Sequence, residues 1–109
     1  MRSFASSVVE LRQRFESDVQ THPFECGWAD EAIFFVSLHD PAPGTVLDLR
    51  VQLSPDGIRW HEEGSTLRVE RDGYVRVTHF GGFLRLAGSA SDRGGATPVT
   101  ISVRLALKG

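Results

Sequence analysis

Apolar and polar residues alternate with a period of two along most of this chain, the spacing that sends successive side chains to opposite faces of a β-strand. Leu47, Leu49, Val51 and Leu53 alternate with Asp48, Arg50, Gln52 and Ser54, which predicts a half-buried strand. Pro55-Asp56-Gly57 breaks the alternation, and Ile58 and Trp60 resume it. Proline presets φ and glycine accepts a left-handed conformation, so this segment predicts a hairpin with Asp56 and Gly57 in its turn and Trp60 packed back across it, mainly buried. Leu67 and Val69 lead to a second turn at Asp72-Gly73, and Tyr74 to Thr78 continues with Val75 and Val77 on one face. After Gly81-Gly82 and the apolar Phe83 to Ala87, the stretch Gly88 to Thr97 is rich in Gly, Ser, Asp and Ala and reads as an exposed loop. Val99, Ile101, Val103, Leu105 and Leu107 then share one face of a closing strand, expected near a sheet centre.

Ala32 to Leu38 is continuously apolar apart from Ser37, the pattern of a strand covered on both faces, with Phe34 and Phe35 directed to different neighbours. Pro41-Ala42-Pro43-Gly44 is the turn after it. Residues 4 to 19 satisfy two periods. Phe4, Val8, Leu11, Phe15 and Val19 lie on one helical stripe, while Glu10, Arg12, Arg14, Glu16 and Asp18 form a polar face in period two. The β-rich remainder and Val8-Val9 favour an extended arm or edge strand, whereas Glu-Leu-Arg-Gln-Arg favours helix. The expectation is an all-β chain, a two-sheet antiparallel β-sandwich or jelly roll over residues 21 to 109 with an N-terminal arm over residues 1 to 20.

A length of 109 residues suits one domain with a sizeable core, and 40% apolar and 24% charged residues place it among globular chains. Twelve basic against fourteen acidic residues give a net charge of −2 with no basic block, so nucleic acid is not an expected partner. No apolar run approaches the roughly 20 residues of a membrane helix, and Met1 to Ala5 lacks the apolar core of a signal peptide. No membrane partner is therefore expected, and synthesis in the cytoplasm is. The single cysteine, Cys26, cannot form an internal disulfide and reads as a small buried hydrophobe.

Little else carries chemistry. His22, His39, His61 and His79 show no paired metal-ligand spacing. Asp30-Glu31 and Glu62-Glu63 are adjacent on expected strands and point to opposite faces, so they cannot converge on one bond. Gly81-Gly82 and Gly94-Gly95 form no phosphate-cradling loop. No catalytic residue, metal site or cofactor is assigned.

Two resemblances add to this reading. Ser54-Pro55-Asp56-Gly57-Ile58-Arg59-Trp60 resembles the S-x-D-G-x-x-W hairpin of discoidin-like domains, whose loops bind glycans or lipids. From about Ala32 to Lys108, the succession of Leu-Asp-Leu-Arg-Val-Gln-Leu-Ser-Pro-Asp-Gly-Ile-Arg-Trp, the Gly-turn strands, Phe83-Leu84-Arg85-Leu86 and Val99 to Val103 is similar to small β-sandwich proteins encoded beside head and capsid genes of tailed phages. That similarity implies an accessory role in a virion or shell. The expected function is a non-catalytic structural subunit that self-associates as a homo-oligomer or decorates a larger protein assembly. Val9, Leu11 and Phe15 are candidates for the assembly interface, since an extended N-terminal strand can pair with the open edge of a neighbouring sheet. The alternative is a carbohydrate-binding module, with Trp28, Trp60 or Tyr74 as platforms for sugar rings.

Overall fold

A computed structural model describes residues 4–78 and 80–109. It contains β1 (Phe4–Phe15), β2 (Asp18–Gln20), β3 (Phe24–Glu25), β4 (Glu31–Leu38), β5 (Thr45–Ser54), β6 (His61–Val69), β7 (Asp72–Thr78), β8 (Phe83–Asp92), β9 (Gly95–Ala96) and β10 (Val99–Lys108). Among the described residues there is no helix, so the N-terminal segment takes the strand reading.

The strands form two antiparallel sheets. Sheet A has the order β1-β10-β4-β7, and sheet B the order β2-β8-β5-β6 with β3 and β9 also paired to β8. The chain crosses repeatedly from one sheet to the other, which is the jelly-roll arrangement anticipated from the pattern. The closing strand lies inside sheet A, between β1 and β4. Its inward row Val99, Ile101, Val103, Leu105 and Leu107 meets Phe34 and Val36 of β4, Leu47, Leu49 and Val51 of β5, and Leu84 and Leu86 of β8 in one buried cluster.

Three segments depart from the sequence reading. Gly88 to Asp92 continues β8 and is not loop, because Gly88 lets β8 pass against the backbone of β5: a Cβ there would run into the Asp48 carbonyl. Gly73 pairs with Val36 inside β7 and the reversal falls before it, so β6 and β7 lie in different sheets and do not form a hairpin. In β4, Ala32, Phe34, Val36 and Leu38 are buried while Phe35 is 45% exposed. The continuous apolar run is thus a one-sided strand with an apolar outer face.

The expected β5–β6 hairpin is present, with Leu53 opposite His61. Its connection is wider than a tight turn and leaves Ile58 79% exposed. Gly57 has φ 78°. Asp56 Oδ1 accepts the backbone N–H groups of Ile58 and Arg59 at 2.8 and 2.9 Å, and Ser54 Oγ donates to it at 3.0 Å. The bonds from Arg59 and Ile58, in that order, hold the Asp56 carboxyl below its ordinary pKa of 3.8.

Residues 4 to 20 fold onto their own chain. β1 pairs with β10 from Phe4 opposite Lys108 to Phe15 opposite Val99, with register shifts between Val8 and Glu10 and between Glu10 and Gln13. The first shift turns Glu10 inward to 4% exposure. There its Oε2 accepts the His22 backbone N–H at 2.9 Å and lies 2.9 Å from the His22 ring Nδ1. β2 pairs with β8 and buries Val19.

Deleting residues 1–20 should lower the melting temperature, because it uncovers the edge of β10 and removes Val19 from the core; a truncated chain that melts like the intact one would mark the segment as separable. Glu10→Ala leaves the His22 amide without its acceptor and should cost about 1–3 kcal/mol in urea unfolding. Gly57→Val forces a β-branched residue to positive φ and should cost about 1 kcal/mol or more. Since the folded-state pKa of Asp56 is depressed, its contribution to the turn is present above pH 3.8 and is lost as pH falls through the lower folded value. The penalty of Asp56→Ala, read from melting curves across acidic pH, should shrink in that window.

Candidate functional site

Titratable groups do not converge on an enzyme-like centre among the described residues. No cluster of three or more His, Cys, Asp or Glu side chains has metal-binding geometry there; His79 lies outside the described residues. His39 Nε2 lies 2.7 Å from Ser102 Oγ, a hydroxyl-and-imidazole pairing within hydrogen-bond reach. Ser102 Oγ also accepts the Arg12 N–H at 3.0 Å, in a β1 bulge where Arg12 takes φ 46°. No carboxylate bonds the other His39 nitrogen, so the pair has no orienting third member and joins β10 to β1 and the β4–β5 connection. Cys26 is fully buried. Burial, then the neighbouring Glu25 charge, push its thiol up to about 12, which keeps it un-ionised and unreactive at neutral pH.

The two outer faces of the sandwich differ. On sheet A the register sets Val8 opposite Arg104, Arg104 opposite Phe35 and Phe35 opposite Tyr74. One step along, Ser6, Ala106, Ile33 and Arg76 form the parallel row. Phe4, Val8 and Tyr74 are 64%, 51% and 59% exposed, and the Phe35 and Tyr74 rings lie 6.2 Å apart. Val8 on β1 and the Phe35–Tyr74 pair on β4 and β7 are thus apolar positions of this face separated by Arg104 of β10, with the Arg76–Glu31 ion pair at 3.5 Å beside the aromatic pair. Single exposed apolar residues are ordinary, whereas an adjoining aromatic pair on an open sheet face is a candidate interaction surface.

The candidates from sequence divide across the molecule. Leu11 is 67% exposed, but Val9 and Phe15 pack against the core. Trp28 is 47% exposed in the β3–β4 connection. Tyr74 belongs to the sheet A face, and Trp60 is half-buried against sheet B, less enclosed than its hairpin position predicted. The three aromatic residues proposed as sugar platforms therefore do not share one surface. Phe35, which adjoins Tyr74 on the sheet A face, was hidden in a run that read as doubly covered.

Sheet B presents polar groups. Arg85 Cζ sits 4.1 Å from the Trp60 ring centroid, and Arg85 Nε donates to Gln52 Oε1 at 2.7 Å. Gln52 Nε2 donates to Glu62 Oε2, and Glu62 Oε1 pairs with Arg50 at 3.0 Å. Burial lowers the Arg85 pKa, with Glu62 opposing and Arg50 adding to the shift; a guanidinium remains a cation at neutral pH regardless.

No family model and no curated protein matches the sequence. Solved structures do share the fold. The SPBc2 prophage-derived protein YomS superposes with a TM-score of 0.65 at 10% identity, over 100% of this chain and 96% of its own. The structure of infectious bursal disease virus Gx strain gives a TM-score of 0.61 at 11% identity, over 98% of this chain and 32% of the viral one. The VP2 subviral particle of the same virus gives 0.56 at 13%, again over 98% and 32%. This chain is similar to those proteins in fold: a two-sheet β-sandwich found whole in a prophage-derived protein and as about a third of a viral chain.

Proposed function

We propose that this protein is a non-catalytic structural subunit that self-associates or decorates a larger assembly of virion or shell type, and that it docks through the outer face of sheet A. The observation that carries this reading is the Phe35–Tyr74 pair, left open to solvent on the outer face of sheet A, with Val8 and Phe4 exposed on the same face beyond Arg104. Burying it against an equivalent face recovers roughly 25 cal/mol for each Å² of apolar area removed from water. The shared fold with a prophage-derived protein and with part of a viral chain supports the same role.

Three of the four sheet edges disfavour a contact by strand addition, the exception being edge strand β7, which pairs with β4 without a register shift. Edge strand β1 is interrupted by its register shifts. Edge strand β6 is interrupted by a shift opposite Arg50 and Gln52, where Gly64 takes φ 112°. The β2–β3 edge is broken around Pro23. Irregular edges of this kind discourage strand addition. Exchange of residues 1–20 between copies would also have to withdraw Val9 and Phe15 from their own core.

Sedimentation velocity over a wide concentration series tests the proposal. The intact protein should associate as concentration rises, and Phe35→Lys combined with Tyr74→Lys should abolish the association while leaving the melting temperature nearly unchanged, since both side chains are exposed. A double variant that assembles like the parent, or a parent that sediments as a monomer throughout, counts against the role.

A further inference from the structure

The opposite face of the molecule offers a site of different chemistry. Arg85 is fixed from behind by the Trp60 ring and from the side by Gln52, itself buried. Among the described residues Arg85 has no carboxylate partner in direct contact, and Nε is its only nitrogen with a hydrogen-bond partner. The neighbouring arginines differ: Arg50 is paired with Glu62 at 3.0 Å, and Arg68 reaches Asp48 at 3.9 Å. Arg85 is therefore held in place with no carboxylate in direct contact among the described residues, Glu62 lying beyond Gln52.

Arg50 also borders a depression of about 310 Å³ lined by the polar Asp48, Thr66, Arg68 and Ser89, the apolar Leu49 and Leu67, and Gly88. The close approach of β5 and β8 at Gly88 helps shape it, since no side chain fits there. Its lining interleaves guanidinium donors, a carboxylate acceptor and two hydroxyls that serve as either. Such a lining sets hydrogen-bonding groups beside the apolar Leu49 and Leu67, as the hydroxyls and C–H faces of a sugar ring require, and gives a polyphosphate too few cations, because Asp48 and Glu62 offset two of the three arginines. It suits a hydroxyl-rich ligand, and the surplus cation suits one carboxylate, which a guanidinium can grip through two parallel N–H groups.

We propose that this groove binds an acidic oligosaccharide, with Arg85 taking the carboxylate of one uronic acid ring and the Asp48, Thr66 and Ser89 depression taking the hydroxyls of its neighbour. Trp60 serves as the wall that holds Arg85 and not as an open sugar platform. The site is independent of assembly through sheet A, so either reading can fail alone.

Saturation-transfer NMR and calorimetry with tetramers of galacturonic and guluronic acid, set beside maltotetraose and a tetraglutamate peptide, test it. The uronic acid tetramers should bind, more weakly as salt is raised. Arg85→Gln should weaken binding roughly tenfold or more, and Arg85→Lys should also weaken it, since the charge remains but the fork is lost. Phe35→Lys combined with Tyr74→Lys should bind as the parent does. Melting curves of the Arg85 variants check that the fold is kept. The proposal is overturned if neither uronic acid tetramer binds, if binding survives both Arg85 substitutions, or if maltotetraose or tetraglutamate binds equally well.

Discussion

The fold depends on covering the inward row of β10. Val99, Ile101, Val103, Leu105 and Leu107 occupy one face of a strand that is hydrogen-bonded on both sides, so another sheet must supply their cover. β5 and β8 do this with Leu47, Leu49, Val51, Leu84 and Leu86. Because burial of apolar area is the dominant favourable term in folding, the crossings of the chain between sheets follow from this need. Every strand of sheet A is separated in sequence from its neighbours there by segments of sheet B or by most of the chain, as with Phe4 beside Lys108. Pairing of that kind closes long loops before it is rewarded, and it makes folding slow relative to helical domains of the same size.

That dependence explains what could be read from the sequence. Strict alternation in β5, β7 and β10 defined their inner faces directly, and the Pro55-Asp56-Gly57 signal located a hairpin whose turn is held by Asp56. Reading stopped where a residue's meaning lay in a distant partner. Gly88 looks like loop composition until the Asp48 carbonyl is seen across from it. Glu10 looks like surface charge until the bulge at Val9 turns it inward to His22. The apolar run of β4 gave no sign that one of its faces would be left open, because solvent and a covering partner leave the same mark on a sequence. Arg85, Trp60, Gln52 and Glu62 come from three different strands and one connection, and nothing in their spacing announces the network.

The two outer faces divide the molecule chemically. Sheet A ends in aromatic and aliphatic surface around Phe35 and Tyr74, and sheet B in an arginine-and-carboxylate lattice around Gln52. A subunit seated through the first would present the second outward, so that attachment and recognition need not compete for area.

The pairing of Phe4 with Lys108 places the first and last described strands side by side and antiparallel. Tension applied through the two ends of the chain would therefore load the β1–β10 ladder at a single end, opening its hydrogen bonds one after another instead of shearing them together. A domain tethered in that way yields at low force by peeling its N-terminal strand, and the bulges around Glu10 are where the peeling would meet its first change of step.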